Sequence, residues 1–503
     1  MRRLCLLATA VLAACMSWQS PRNVQEQLRA PGASGNRVRV TTGTGTWTME
    51  SVTIEGENLS GLRTDSGAPF PSSIPLSEVR RIEVRRVSAG RTAALLGAGA
   101  LVGLAIAEAI GNNFDDEPIL GGDDYPVVSC PFVYSWDGTR WRLDSGTFGG
   151  AISRGLERTD LDNLEHAAVQ HGHLRLRVAN ELPETDHVNM IEVVVVDAAP
   201  GTVAAPDPGG RVHAFRNLVA PGSATDYRGA DVLARVGVLD EWSWVSSPAD
   251  RDSARVRDVR DGVELAFARP VGAREAHLLL DGNNTLWATY LLKEWVSAHA
   301  GATRAWYDSL DSDRGFARQA FAPLAREAFL TASVLHGDTW TAAGQYWEAG
   351  PEVSKRQVLH LDLNGVVGDT VRVRLESAPS FWLIDRVAMA FGGDAEVSVR
   401  TAPLASARLS TGREVRSALL GSDTSYLTLE TGESAELTFA MPAAVPAAER
   451  SYLLRSRGWY RIRTSEHGEP AVAFLDRLAE QPLAVSKSAV GKLNDALAAQ
   501  AGR

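Results

Sequence analysis

Along most of this chain polar and apolar residues alternate, the two-residue period of half-buried strands. Arg37-Val38-Arg39-Val40-Thr41, Val52-Thr53-Ile54-Glu55 and Val79 to Val87 set that rhythm early. With glycines 56 and 61 as punctuation, they predict a small all-β module over residues 36–91. A second β domain is expected over 127–285. Phe132 to Leu143 reads as two strands around Asp137-Gly138, a type I′ hairpin signal. Leu174-Arg175-Leu176-Arg177-Val178 alternates, Ile191 to Val196 reads as a buried strand, and Val256 to Phe267 reads as a hairpin around Asp261-Gly262. The period then lengthens. Over 286–331, Leu286, Tyr290, Leu291, Trp295 and Val296 share one helical face, and Trp306, Tyr307, Leu310, Phe316, Phe321, Leu324 and Phe329 continue the pattern. These aromatics are expected in the core, with the helices packed across a sheet end. Strand patterns return over 332–468 in Val358 to Leu363, Val371 to Leu375, Phe381 to Ile384 and Leu427 to Glu430, and predict a β-sandwich. Residues 469–503 are rich in Ala and Leu and predict a helical tail. The fold class is mainly β and multi-domain, and no convincing internal repeat stands out.

The first fifteen residues follow another logic. Met1-Arg2-Arg3 is a positive start, Leu4 to Ala14 is a short apolar run, and Ala13-Ala14 precedes Cys15. That is a signal-peptide layout over 1–14, too short to span a bilayer. Leu12-Ala13-Ala14-Cys15 resembles the lipobox of bacterial lipoproteins. The resemblance implies cleavage before Cys15, diacylglycerol on its thiol, and attachment to membrane lipid. Several acyl chains hold firmly, at about 0.8 kcal/mol per buried CH₂. Met16 in place of an Asp tilts the expectation towards the outer membrane or cell surface. Residues 15–35, rich in Ser, Gln, Pro and Gly, read as a lipidated tether.

Two segments change the picture of a purely β protein. Residues 92–111 form a Gly/Ala-rich apolar run carrying one charge, Glu108, with Gly99 and Gly103 spaced for close helix packing. Its length suits a bilayer span. Arginines 80, 81, 85, 86 and 91 precede it and acids follow it, which reverses the orientation that lipidation demands. A helix packed on protein, or on its copy in a homo-oligomer, competes with membrane insertion. Arginines 80, 81, 85 and 86 read as a solvated strand face or as a lipid-headgroup contact. Gly97-x-Gly99-x-x-x-Gly103 lacks the dinucleotide-loop spacing. Residues 112–126 are an acidic linker without calcium-loop spacing.

The charge is −10, or −12 once Arg2 and Arg3 leave with the signal. That argues against nucleic acid as a partner. Cys130 is then left without a partner in its own chain, as a buried thiol or an intermolecular bridge. Gly-x-Ser-x-Gly and His-Glu-x-x-His strings are absent, no catalytic residue is assigned, and no cofactor or metal is expected. His171-x-His173, with His166 and His187 nearby, has a metal-like spacing but reads as polar residues flanking a strand. Asp308-x-x-Asp311-x-Asp313 reads as a helix-joining turn. The polar stretch from Phe148 to Glu165 is the best candidate for a functional loop.

Layout adds three further resemblances. The 36–91 module looks like an SH3- or Sm-type five-strand barrel. Roughly a hundred residues of the 332–468 segment look like a galactose-binding-type jelly roll: strand, turn at Gly368-Asp369, strand, then Phe381-Trp382-Leu383-Ile384-Asp385. Cys130-Pro131-Phe132 and Gly149 to Thr159 are similar to large uncharacterised envelope lipoproteins of environmental bacteria. The anchor, the stacked β modules and the missing catalytic strings point to a non-enzymatic, lipid-anchored scaffold or binding module whose partner is an envelope protein or a glycan. Thirteen tryptophans support a carbohydrate-binding alternative, in which Trp136, Trp141, Trp340 and Trp347 line one open face. An envelope hydrolase with a site built from loops is the second alternative.

Overall fold

A computed structural model describes residues 16–19, 38–42, 46–55, 58–63, 70–75, 79–87 and 131–501, the last span without 241–242, 246–251, 253, 256–258, 348–349, 352 and 422. The chain divides into two compact units: Met1–Leu96 with Asp240–Trp242, and Gly97–Leu239 with Ser243–Arg503. The architecture is mainly β, in several antiparallel sheets.

The first unit holds Met16–Gln19 (β1), Val38–Thr42 (β2), Thr46–Glu55 (β3), Asn58–Arg63 (β4), Phe70–Pro75 (β5) and Val79–Val87 (β6). Their order is β1-β6-β2-β3-β4-β5. This corrects the expected five-strand barrel. Among the described residues β5 does not pair with the far edge, so the sheet stays open. The free edge of β6 is taken instead by Met16–Gln19, from the segment read as tether, in the register Met16↔Val87. Val40 and Leu59 are fully buried in this sheet.

The second unit opens with a hairpin, Phe132–Trp136 (β7) and Trp141–Gly146 (β8), then Arg158–Asn163 (β9), His173–Ala179 (β10) and Glu184–Ala198 (β11). A small hairpin, Val203–Pro206 (β12) and Val212–Phe215 (β13), leads to Leu218–Val219 (β14), Ser223–Asp226 (β15), Trp244–Val245 (β16), Asp261–Ala268 (β17) and Glu275–Asn284 (β18). Helices Leu286–Ser297 (α1), Thr303–Ser312 (α2) and Arg314–Ala328 (α3) follow. Next come Leu330–His336 (β19), Thr339–Tyr346 (β20), Lys355–Asp362 (β21), Thr370–Ser377 (β22) and Trp382–Phe391 (β23). Val397–Ala402 (β24), Leu404–Leu409 (β25), Leu427–Glu430 (β26), Ser434–Ala440 (β27) and Glu449–Ile462 (β28) close the β part, before helices Val472–Glu480 (α4) and Ala484–Ala501 (α5).

These strands build two sandwiches. In the outer one, the sheet β25-β27-β10-β7-β8 packs on β24-β11-β28-β9, with β26 added to β11. In the inner one, β15-β17-β22-β19-β20 packs on β14-β23-β18-β21, with β16 added to β23. The two orders match strand for strand. β7–β11 correspond to β19–β23, and β24–β28 correspond to β14–β18. The chain therefore carries two tandem repeats, each a first and a second half. Each sandwich joins the first half of one repeat to the second half of the other. Strands from the 127–285 and 332–468 segments accordingly share sheets, as in the pairing Leu176↔Leu437.

Matched details support the correspondence. One bulge skips Asn189 in β11, and its twin skips Asp385 in β23. Gly458 and Gly282 lie opposite these bulges, paired with Val188 and Ile384. A Cβ on Gly458 would stand 2.5 Å from the His187 carbonyl oxygen, and one on Gly282 would stand 2.7 Å from that of Leu383, so neither position accepts a side chain. Glu436-Leu437-Thr438-Phe439-Ala440 matches Glu264-Leu265-Ala266-Phe267-Ala268. Leu174-Arg175-Leu176-Arg177-Val178 matches Val371-Arg372-Val373-Arg374-Leu375. In each sandwich both arginines fork onto the matching glutamate, Glu436 at 3.1 and 2.8 Å and Glu264 at 3.0 and 2.7 Å.

Three local expectations change. Asp261-Gly262 is not a turn but the start of β17, where the carbonyl of Leu375 comes too close for any Cβ. Asp137-Gly138 does turn a hairpin, but through four residues, 137–140, gathered by hydrogen bonds to Asp137 Oδ1 from Thr139 and Arg140. The 148–165 stretch is not an open loop. Phe148 and Ile152 are fully buried, and Asp160 and Asp162 lie inside the junction between the sandwiches. There Lys355 Nζ reaches Asp160 at 3.0 Å and Asp162 at 2.5 Å, while Arg158, which corresponds to Lys355, reaches Asp160 at 2.9 Å. Burial opposes ionisation of Asp160, but the two cations outweigh it and hold its pKa at about 2.

Candidate functional site

The helices do more than close the sandwich. Thr285 caps α1, its hydroxyl accepting from Ala288 N, and Asp313 caps α3, accepting from Gly315 N and Phe316 N. Of the acids expected in a helix-joining turn, Asp308 and Asp311 lie within α2 and only Asp313 stands at the junction; Asp311 accepts from Arg154 N at 2.9 Å. Each helix turns one aromatic face inward: Trp287, Tyr290, Tyr307 and Phe321 join the inner core. Trp295 and Trp306 stay half-buried. With α4 and α5 alongside, they leave a groove of about 350 Å³, within the range of small-ligand sites.

The groove is aromatic and acid-edged. His299 stacks on Trp306 at 4.0 Å, Trp295 meets Trp306 edge-on at 5.3 Å, and Phe316 and Phe474 face them from other helices. Phe316 is 40% exposed, so the mouth presents apolar surface to water. Among the described lining residues the charged ones are Glu294 and Asp476. Glu294 accepts from the Tyr290 hydroxyl and pairs with Lys492. Burial and the neighbouring Glu294 raise the Tyr290 pKa. Burial lowers that of His299 despite the carbonyls of Val296 and Trp295, so the ring stacks in its neutral form. Such a groove suits an apolar or aromatic body, and with Glu294 already paired with Lys492 it is Asp476 that favours a cationic or donor-bearing head over an anion.

The tryptophans singled out from sequence lie elsewhere, in three places. Trp136 and Trp141 are cross-strand partners at 5.4 Å, with Arg175 5.1 Å from both rings and Arg177 4.5 Å from Trp141. Trp340 holds the corresponding place in the inner sandwich, with Arg374 at 4.2 Å. Trp347 lies near Phe329 and Arg158. All four are half-buried, and guanidinium groups approach each one. The histidines of 166–187 do not converge either. His166 bonds Asp144 at 2.6 Å, His171 sits in an exposed turn with His173 exposed at the start of β10, and His187 stacks on Trp459 at 3.9 Å. Cys15, Cys130, the 92–111 run and the 112–126 linker lie outside the described residues. No described helix is long and apolar enough to cross a membrane.

Sequence periodicity placed Trp295 and Trp306 on helices but in the core. Nothing local signalled that Phe474 and Val485, far along the chain, would form the opposite wall. Compared with known protein families and with curated proteins, the chain matches none.

Proposed function

We propose that this chain is a lipid-anchored, non-enzymatic binding protein of the cell envelope, tethered through acylated Cys15, and that the helical groove is its ligand site. The anchor rests on the lipobox-like string. The binding reading rests on one observation: a groove with stacked His299 and Trp306, an exposed Phe316 and two carboxylates at its edge. The ligand class is a small amphiphile with an apolar or aromatic body and a cationic head.

Titration of the full chain with the neutral dye N-phenyl-1-naphthylamine tests the site. Saturable fluorescence enhancement is expected, weakened about tenfold by Trp306→Ala, roughly one stacking contact. Dodecylamine should displace the dye at lower concentration than dodecanoate. Dye binding that is absent, or equal in Trp306→Ala and Phe474→Ala, overturns the site, and the reverse order of displacement overturns the ligand class. Mass spectrometry of the mature N-terminus checks the anchor separately, through acyl mass on Cys15.

A further inference from the structure

A second cluster lies away from the groove, on the outer face of the inner sandwich. There the β12–β13 hairpin covers the sheet, packing Ala205 and Phe215 on Leu279, Val358 and Ala390. His213 comes from β13, His277 from β18, and Asp394 from the turn after β23. One donor atom from each lies within 4.8 Å of the others. His213 Nδ1 is 3.0 Å from Asp394 Oδ1, and the two imidazole rings are 5.1 Å apart. His213 and His277 are more than nine-tenths buried.

Two further observations point to a ligand. His277 Nδ1 is buried with no hydrogen-bond partner among the described atoms. An orphan nitrogen of this kind costs free energy unless something fills its lone pair. The fold does not require it: by the register of Gly282 and Gly458, the corresponding residue in the outer sandwich is buried Leu453. The second is Asp207. Its Oδ2 lies 3.1 Å from His213 Nε2, the carboxylate support typical of metal-bound histidine. A proton held on Nε2 by Asp207 leaves the Nδ1 lone pair directed towards Asp394.

We propose that His213, His277 and Asp394 bind one divalent transition-metal ion of the zinc class, with Asp207 as the positioning residue behind His213. Two imidazoles and a carboxylate without thiolate suit zinc and its neighbours rather than calcium or magnesium. A tetrahedral ion with bonds near 2.05 Å holds its donors about 3.3 Å apart. The His213–Asp394 pair is already near that spacing, and small side-chain rotations close the rest. Three protein ligands leave one position for water or a further ligand.

The test uses the full chain stripped with chelator and titrated calorimetrically with zinc chloride. One ion per chain is expected, together with the visible absorption of four-coordinate cobalt when Co²⁺ replaces zinc. His277→Leu installs the residue that the outer sandwich carries, so the variant should melt as a folded protein and bind at least about tenfold more weakly. Asp394→Asn, at a partly exposed position, should do likewise, and Asp207→Asn should lose about 10–100-fold. His171→Ala, in the exposed turn, should bind as the parent does. Absence of saturable binding overturns the site. So does parental affinity in both His277→Leu and Asp394→Asn, or loss of binding in His171→Ala, which would mark adventitious histidine binding.

Discussion

The two sandwiches share a topology and differ in almost everything placed upon it. Both keep the bulge in the long strand, the glycine opposite it, the arginine pair forked on a glutamate, and the Phe of Glu-Leu-x-Phe-Ala in the core. The outer sandwich meets the β12–β13 hairpin through Ala204, packed with Val194, Val196 and Leu453, and adds little else beyond its own strands. The inner one carries the histidine cluster on one face and helices α1–α5 on its core. Where the inner copy buries Trp382, the outer copy buries Asp186 beside Glu184, by the register of the bulges. Backbone geometry thus tolerates large changes of side chain as long as the close approaches stay open to glycine.

Several changes would break or sharpen that comparison. The largest effects are expected where the copies are most alike. Phe267→Ala and Phe439→Ala, both at fully buried sites, should each cost about 3–5 kcal/mol in urea unfolding. A difference much above 1 kcal/mol between them would mean that the two cores are not equivalent. At the junction, Lys355→Ala strands Asp162 and leaves Asp160 to Arg158 alone; it should cost about 3–5 kcal/mol, more than Arg158→Ala, which leaves Lys355 on both carboxylates. Equal losses would make the corresponding cations interchangeable.

Asp186 should reveal the difference in pH dependence. Burial and Glu184 raise its pKa well above the ordinary value. A carboxyl raised on folding favours the native state below its unfolded pKa near 3.8, and that contribution declines as pH rises through the folded value. Asp186→Asn should therefore stabilise the protein at pH 7 and flatten its stability profile above pH 4. A profile unchanged by the substitution would show that this carboxyl does not titrate differently on folding. The smallest effects belong to the forked pairs: Glu436→Gln and Glu264→Gln should each cost less than about 1 kcal/mol, because both carboxylates face water. A loss of several kcal/mol in either would make its arginine–tryptophan face a structural element.

Much of the local structure was legible because its signal is local. Val371 to Leu375 announces a strand by alternation alone, and the helical period of Leu286 to Val296 is equally self-contained. Partner choice is not local. Nothing in Leu174 to Val178 says that it pairs with Leu437 rather than with a nearer strand, so the crossed halves stayed hidden behind a division into consecutive domains. The repeat itself is short at each match, five residues in Glu-Leu-x-Phe-Ala, and its halves return in crossed combination. Asp261-Gly262 misled because the pair usually marks a turn, whereas here glycine makes room for a neighbouring carbonyl. The histidine cluster draws on three separate strands and turns, and His213 and His277 each sit alone in an apolar strand. A lone buried histidine within a strand was the only available signal.

The crossed halves also impose a timetable on a chain made from its N-terminus. The inner sandwich has all its strands once residue 391 has emerged, whereas β7–β11, made earlier, wait for residues 397–462. Of the sandwich strands, the oldest are the last to find their mates, and in the interval they offer raw hydrogen-bonding edges to any passing chain. A nascent molecule stalled between those two points would carry one finished half and one sticky one, and that interval is where a chaperone has most to protect.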